Sequence, residues 1–193
     1  EKWVIAERVS QELANIHPRP PAVRVFDAGV GDGTVLARVM RAMHARFPTM
    51  PFYITGKEIS LEDIRLTLDK MPDRFLEHPE LVLALTNMPY ADAPWLRPAS
   101  GGKVAWLEVP LKGTTTAEFE RQILELQPFL DANWRTRLDA RTGRLLPESF
   151  HCDIPTDRID QARATAKILG DEVWKRFPWA CGADGTPALP TTT

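Results

Sequence analysis

The segment VFDAGVGDGTVLA, at residues 25–37, constrains the fold of this chain more than any other segment. It follows a short apolar run typical of a buried strand and leads into residues whose apolar side chains recur at helical spacing. Three glycines, Gly29, Gly31 and Gly33, stand at alternate positions between the two. Glycine there lets the chain turn sharply and lets a ligand lie against the backbone. The segment predicts a strand, a tight turn and a helix, either with a ligand at the turn or with the turn alone.

Strand-like and helix-like segments alternate along the first 130 residues. The apolar, strand-like segments are AVRVFDAG, PFYITGKEIS, ELVLALTN and KVAWLEVPL. Helical spacing of apolar residues comes before, between and after them; the first such segment is KWVIAERVSQELANI, and a later one breaks near Pro72. This order predicts an α/β fold, a Rossmann-like parallel sheet with helices on both faces.

The pattern changes after residue 130. The segment WRTRLDARTGRLL predicts a hairpin that turns at ARTG, residues 157–177 predict a helix, and the last residues predict an irregular tail. We therefore assign residues 1–130 to a core and residues 131–193 to an extension that completes or caps the same domain. Because this extension has few strand patterns, we expect the C-terminal part of the fold to be shortened or atypical.

Glu58 ends the second strand segment, next to the expected position of the glycine turn. Ligands of an open α/β sheet bind outside the carboxyl ends of its strands. A carboxylate there can accept hydrogen bonds from both hydroxyls of a ribose. The alternative is a solvated glutamate beside Lys57; without its ligand, such a strand-end carboxylate is expected to contribute little to stability.

The glycine spacing bears on whether the ribose-bearing cofactor is a dinucleotide. A dinucleotide site uses G-x-G-x-x-G, which from Gly29 requires a glycine at position 34, where this chain has Thr34. An NAD(P)-dependent oxidoreductase is therefore the less favoured alternative.

The segments VFDAGVGDGTVLA and ITGKEISLEDI together resemble the first and second motifs of class I S-adenosylmethionine-dependent methyltransferases. The resemblance covers residues 1–130. It implies a Rossmann-like fold, S-adenosyl-L-methionine as cofactor, and transfer of its methyl group to a small-molecule or protein acceptor. It also implies the following cofactor-binding residues: Asp27, Gly29, Gly31, Gly33, Glu58, Ile59, Thr86 and Asn87.

The resemblance implies a role for each part of this set. Gly29 and Gly31 would lie against the methionine part of the cofactor, and Asp27 would brace the turn. Glu58 would hold the ribose hydroxyls and Ile59 would pack on the adenine. The residues after the third strand segment, Thr86 and Asn87 among them, would line the amino edge of the adenine.

Two further residues are candidates for contact with the methyl acceptor. Tyr90 lies in TNMPY, which resembles the N-[IL]-P-Y motif of enzymes that methylate amide or adenine nitrogens. That motif follows the fourth strand in those enzymes and the third here, which favours a loop with Tyr90 over the sheet end. Glu108 is near the end of the fourth strand segment, where a carboxylate can orient an amine or act as a base. Its alternative is an ion pair with Lys103 or Lys112.

Several classes of function are disfavoured by composition. The net charge of −2 and a pI near 6.1 argue against a nucleic-acid substrate, and no apolar run approaches the roughly 18 residues of a membrane span. The two cysteines favour a reducing, cytoplasmic setting.

The histidines have no metal-ligand spacing, and adjacent His151 and Cys152 have no third group to make them a nucleophilic pair. A methyltransferase-like binding or partner module without activity remains the alternative to an enzyme.

Overall fold

The computed structural model describes residues 1–19, 22–95 and 104–156. In chain order its helices and strands are α1 (Lys2–Glu12), β1 (Val23–Asp27), α2 (Thr34–Arg46), β2 (Phe52–Lys57), α3 (Leu61–Leu68), α4 (Pro72–Glu77), β3 (Leu81–Thr86), β4 (Ala105–Glu108), α5 (Thr116–Asn133), β5 (Thr136–Leu138), β6 (Leu145–Pro147) and β7 (Phe150–Pro155). The α/β class expected from the sequence is confirmed. The expected helix at 157–177 and the tail lie outside the described residues.

The first three strands form a parallel unit. β1 pairs with β2 and β2 with β3, in a register that places Asp27 opposite Gly56 and Lys57 opposite Thr86. α2 connects the first pair, and α3 and α4 connect the second. The break expected near Pro72 is confirmed, because this proline is the first residue of α4, a position that needs no backbone N–H. The carboxyl ends of the three strands therefore meet at one edge of the sheet.

The other two strands of the main sheet run in the opposite direction. The strand order is β1-β2-β3-β7-β4; β7 is antiparallel to β3, and β4 is parallel to β7. The expectation of a parallel sheet is therefore wrong for this half, and the five-stranded sheet is mixed. The physical cause lies at the end of β3, where Thr86 and Asn87 bind the backbone of Phe150, so that β7 begins beside the residue at which β3 ends.

The C-terminal extension contributes both an expected and an unexpected element. The hairpin is confirmed: β5 and β6 are antiparallel, and the turn between them is held by Asp139, whose carboxylate accepts the N–H groups of Arg141 and Thr142. The strand β7 was not expected from SFHCDIP. Since β7 lies between β3 and β4, residue 130 does not divide the sheet into separate units.

The two faces of the main sheet differ in chemistry. On one face, alternate strand residues form a single apolar core with buried residues from all five helices. The opposite face is also buried at the middle strands, but most of its buried residues are polar. We call it the polar face. Val82 and Ala84 of β3 lie on it. Its polar residues are Tyr53, Thr55, Lys57, Thr86, His151 and Asp153. Within the described ranges the α-helices thus cover one face, whereas the sequence analysis expected helices on both.

The first helix lies at the margin of this core. α1 has the expected helical form, but of its apolar residues only Ala6 is buried, while Trp3 and Val9 are 57% and 43% exposed. α1 packs mainly on α2, so most of its apolar face has no strand to contact. None of the helices within residues 1–19, 22–95 and 104–156 is long and apolar enough to cross a membrane.

Candidate functional site

The glycine turn between β1 and α2 is held by hydrogen bonds from both sides. The Gly29 N–H donates to Asp27 Oδ1 at 3.2 Å, so Asp27 braces the turn as expected. From α3, the Thr67 hydroxyl donates to the Gly31 carbonyl at 2.8 Å. Lys70, just after α3, donates from Nζ to the Asp32 carbonyl, also at 2.8 Å. The backbone at this carboxyl edge is therefore fixed before any ligand binds.

Two glycines of the turn are required for different reasons. Gly31 and Gly33 both have left-handed backbones, with φ of 53° and 73°. A Cβ on Gly33 would lie 2.8 Å from the Thr67 Cα, so the missing side chain allows α3 to approach the turn. No atom of the described residues lies within 4 Å of the position that a Cβ on Gly31 would occupy. Gly33 thus serves packing, and Gly31 presents a bare backbone to open space.

Glu58 lies against the turn, as the sequence analysis expected. Its Oε2 accepts the N–H of Gly31, 27 residues earlier in the chain, at 3.1 Å. Its Oε1 accepts the N–H groups of Ile59 at 2.6 Å and Ser60 at 3.0 Å. A carboxylate has about four lone-pair sites, so about one is left for a ligand. Glu58 therefore clamps β2 to the turn, contrary to the expectation that it contributes little to stability.

Three carboxylates, those of Asp27, Asp32 and Glu58, surround the turn. Burial raises the pKa of Asp27 and the nearby Glu58 raises it further, while the Gly29 N–H opposes both effects. The pKa of Asp32 is lowered to about 2 by hydrogen bonds, chiefly from Lys2 and the Thr34 N–H. Because the Asp32 carboxylate accepts the first N–H group of α2, a negative side chain already occupies this helix N-terminus. Two of the N–H groups that a phosphate would use are therefore occupied by carboxylates, while the Lys2 and Lys70 ammonium groups balance the charge of Asp32.

Tyr90 and Lys57 lie together beside the turn. The Lys57 Nζ is 4.1 Å from the centroid of the Tyr90 ring, a cation–π contact. The Tyr90 hydroxyl is 3.9 Å from the position that a Cβ on Gly29 would occupy. Tyr90 is 63% exposed and Lys57 is buried. The ring therefore extends from the turn after β1 to the end of β2, consistent with the expected position over the sheet end.

The remaining residues of the expected cofactor-binding set are Ile59, Thr86 and Asn87, and the structure gives them different surroundings. Ile59 is half-buried between β2 and α3, next to Glu58. Thr86 and Asn87 are fully buried. The Thr86 hydroxyl donates to the Phe150 carbonyl at 2.8 Å, and the Asn87 side-chain oxygen accepts the Phe150 N–H at 2.7 Å. Ile59 thus lies next to Glu58, which contacts the turn. The Thr86 and Asn87 side chains instead bind β7 and join it to β3.

Glu108 is not at the carboxyl edge of β1–β3. It lies at the end of β4, opposite Asp153 of β7, and β4 runs against the first three strands. Four strand spacings, about 19 Å, separate β4 from β1. The expectation that Glu108 faces an acceptor near the glycine turn is therefore wrong, because it assumed that β4 was parallel to β1.

A small cavity lies at the same edge of the sheet as the end of β4. Its volume is about 140 Å³. Its lining is apolar apart from two threonines and consists of Phe75, Leu76, Pro79, Gly113, Thr114, Phe119 and Thr156. The lining residues that the structure describes include no acid, base or thiol that could transfer a proton or act as a nucleophile.

A buried His–Asp pair on the polar face was missed by the sequence analysis. The His151 Nε2 lies 3.0 Å from the Asp153 Oδ1, and both side chains are fully buried. Cys152 points to the opposite, apolar face, where burial and, to a lesser extent, Asp153 raise the pKa of its thiol well above the usual range. The His–Cys pair is thus excluded as a nucleophile and base, because strand alternation separates the two side chains. The same alternation, applied to SFHCDIP, would have paired the histidine with the aspartate.

Known proteins do not identify this site. Comparison of the chain with protein-family models, with curated proteins and with solved structures found no match in any of the three.

Proposed function

We propose that this chain is an S-adenosylmethionine-dependent methyltransferase of the class I type, with the cofactor bound at the carboxyl edge of β1 and β2. The observation that carries the proposal is the hydrogen bond from the Gly31 N–H to Glu58 Oε2, at 3.1 Å. It joins the two motifs on which the resemblance to that family rests, although the two bonded residues are 27 positions apart in the chain. The methyl acceptor is a small molecule or a protein.

The charges around the turn support this cofactor over a dinucleotide. S-adenosylmethionine carries a positive sulfonium, a positive ammonium and a negative carboxylate, so its net charge is positive. Asp27 and Glu58 provide negative charge close to Gly31, whereas the Asp32 carboxylate is paired with Lys2. A pyrophosphate would instead use free N–H groups at the turn and helix N-terminus. Here Glu58 accepts the Gly31 N–H and Asp32 accepts the Thr34 N–H. An NAD(P)-dependent oxidoreductase is correspondingly disfavoured.

In this proposal the local geometry supports the contacts of Gly31 and Glu58, and the resemblance to the family implies that of Ile59. Gly31, with open space where a Cβ would be, receives the methionine part, and Ile59 packs on the adenine. Glu58 accepts one ribose hydroxyl, since three backbone N–H groups use its other lone pairs. The reactivity belongs to the cofactor's sulfonium carbon, and the protein supplies position and a water-poor site.

A non-catalytic methyltransferase-like binding module is the second candidate. It is favoured by the reversed direction of β4 and β7, which takes Glu108 away from the turn. The module would bind the same cofactor through Gly31 and Glu58, but without transferring its methyl group.

Calorimetry on the full chain tests the cofactor. We expect S-adenosylmethionine and S-adenosylhomocysteine to bind and NAD⁺ not to bind. Glu58→Ala should weaken S-adenosylhomocysteine binding roughly 10- to 150-fold, the value of one charge-assisted hydrogen bond. Glu62→Ala, which removes a carboxylate that is 72% exposed, is the matched control and should bind as the parent does.

A second ligand distinguishes two reasons for weaker binding by Glu58→Ala, namely loss of a contact with the ribose and loosening of the turn. If Glu58 touches the ribose, Glu58→Ala should cost less affinity for the 2′-deoxy analogue of S-adenosylhomocysteine than for the parent ligand. A parent chain that binds neither adenosyl ligand would overturn the proposal. Transfer of labelled methyl from S-adenosylmethionine to fractions of a desalted extract, by the parent and not by Glu58→Ala, distinguishes an enzyme from a binding module.

A further inference from the structure

Tyr90 presents an aromatic ring at the place where the proposed cofactor would carry its positive charge. Its hydroxyl end is close to Gly29, and its ring face is in contact with the Lys57 ammonium. The ring therefore spans the gap between the turn after β1 and the end of β2. At 63% exposure, the side chain is also accessible to a ligand that enters from solvent.

The ring already contacts a cation of the chain itself. Lys57 is 5% exposed, and its Nζ lies 4.1 Å from the ring centroid. Burial lowers the pKa of Lys57, although the neighbouring Glu58 opposes this effect, so the ammonium is less stable here than in water. A cation over an aromatic face is attracted by the ring quadrupole, and attraction to a desolvated cation is stronger than to a hydrated one.

We propose that the Tyr90 ring recognises the sulfonium of S-adenosylmethionine, which displaces the Lys57 ammonium from the ring. This inference rests on the proposed function and adds to it the means by which the site distinguishes the cofactor, whose sulfur is positively charged, from the product, whose sulfur is neutral. Lys57 and the sulfonium compete for the ring because two positive charges on one aromatic face repel each other.

The exchange of cations also provides for product release. In methyl transfer the acceptor's lone pair forms the new bond to the methyl carbon, and the sulfur keeps the electron pair of the broken bond. The sulfonium thereby becomes a neutral thioether, and any proton of the acceptor passes to solvent. The sulfur of the product no longer has a charge to attract the Tyr90 ring, so in this proposal the Lys57 ammonium returns to the ring and S-adenosylhomocysteine leaves.

The test compares the affinities of S-adenosylmethionine and S-adenosylhomocysteine, by calorimetry, in the full chain and three variants. Tyr90→Leu should weaken binding of the sulfonium ligand about 5- to 30-fold and leave the thioether ligand nearly unchanged. Tyr90→Phe, which keeps the ring and loses the hydroxyl, is the control and should keep the parent ratio. Lys57→Met should strengthen sulfonium binding at least about 2-fold, because it removes the competing cation. Melting curves without ligand show that each variant is folded.

The outcomes separate this inference from the proposed function. If the parent binds both ligands but Tyr90→Leu leaves their ratio unchanged, the inference is wrong and the methyltransferase proposal stands. If Tyr90→Leu strengthens both ligands equally, the ring obstructs the site and does not recognise charge. If the parent binds neither ligand, both proposals fail.

Discussion

At the scale of the residue, the glycine turn shows how similar backbones can serve different purposes. Gly31 and Gly33 both have positive φ, yet one faces open space and the other faces the backbone of Thr67. Glu58 shows the reverse, a side chain that serves two purposes. It clamps three backbone N–H groups and still has a lone pair for a ligand. A substitution at this turn therefore has to be judged on stability and binding separately.

Alanine at the two glycines should separate packing from backbone strain. Gly31→Ala should lower the free energy of unfolding by about 1–2 kcal/mol, the cost of a left-handed backbone for a residue with a Cβ. Gly33→Ala should cost about 1–3 kcal/mol more, because its Cβ would overlap α3 at Thr67. Urea unfolding of both variants measures the difference. Equal losses would show that α3 moves away from the turn without penalty.

At the scale of the element, the end of β3 decides where β7 lies. Thr86 and Asn87 bind the carbonyl and N–H of Phe150, two groups that strand pairing alone would have to satisfy. The Phe150 ring then packs edge-on against Trp134, just beyond the end of α5, at a centroid distance of 5.6 Å. These contacts position β7 between β3 and β4 and bring His151 to the polar face.

Asn87→Ala tests this attachment. It leaves the buried Phe150 N–H without its acceptor, so the free energy of unfolding should fall by about 1–3 kcal/mol. Asn15→Ala, at an exposed position, is the control and should change it by less than about 0.5 kcal/mol. Urea unfolding gives both values. If Asn87→Ala is as stable as the control variant but binds S-adenosylhomocysteine more weakly, then Asn87 serves the ligand, as the sequence analysis expected.

At the scale of the whole molecule, two halves of opposite strand direction share one sheet and one core. β3 and β7 are the seam between them, and both strands are buried along their whole length. Within the described residues, β4 pairs only with β7. The half formed by β1, β2 and β3, which carries the glycine turn, and the half formed by β4 and β7 should therefore unfold together.

A proline in β7 tests this cooperativity. Cys152→Pro removes a ladder hydrogen bond in a central strand, so we expect a loss of more than about 3 kcal/mol and no cooperative unfolding of either half. Leu145→Pro, in a two-stranded ribbon where this side chain is 58% exposed, should leave the main unfolding transition in place. Urea unfolding followed by far-ultraviolet circular dichroism makes the comparison. A cooperative transition retained in Cys152→Pro would mean that the parallel unit is stable alone.

Much of the fold and part of the candidate site follow from the sequence alone. The order of elements through β3, the glycine turn and the hairpin near Gly143 are local signals, because apolar periodicity and the left-handed backbone of glycine act within a few residues. The proximity of Glu58 to Gly31 also follows, since parallel neighbouring strands bring their carboxyl ends together.

Only the tertiary structure decided the rest. The insertion of β7 and the burial of Thr86 and Asn87 depend on hydrogen bonds between residues more than 60 positions apart. The direction of β4 depends on its pairing with β7, whose residues lie far along the chain. A strand's own residues specify its alternation but not its neighbour or its direction, because any strand offers the same backbone donors and acceptors to a parallel or an antiparallel partner. For that reason the sequence analysis expected Glu108 beside the turn. The pairing of β4 with β7 instead places Glu108 on the outermost strand of the sheet, the one farthest from β1.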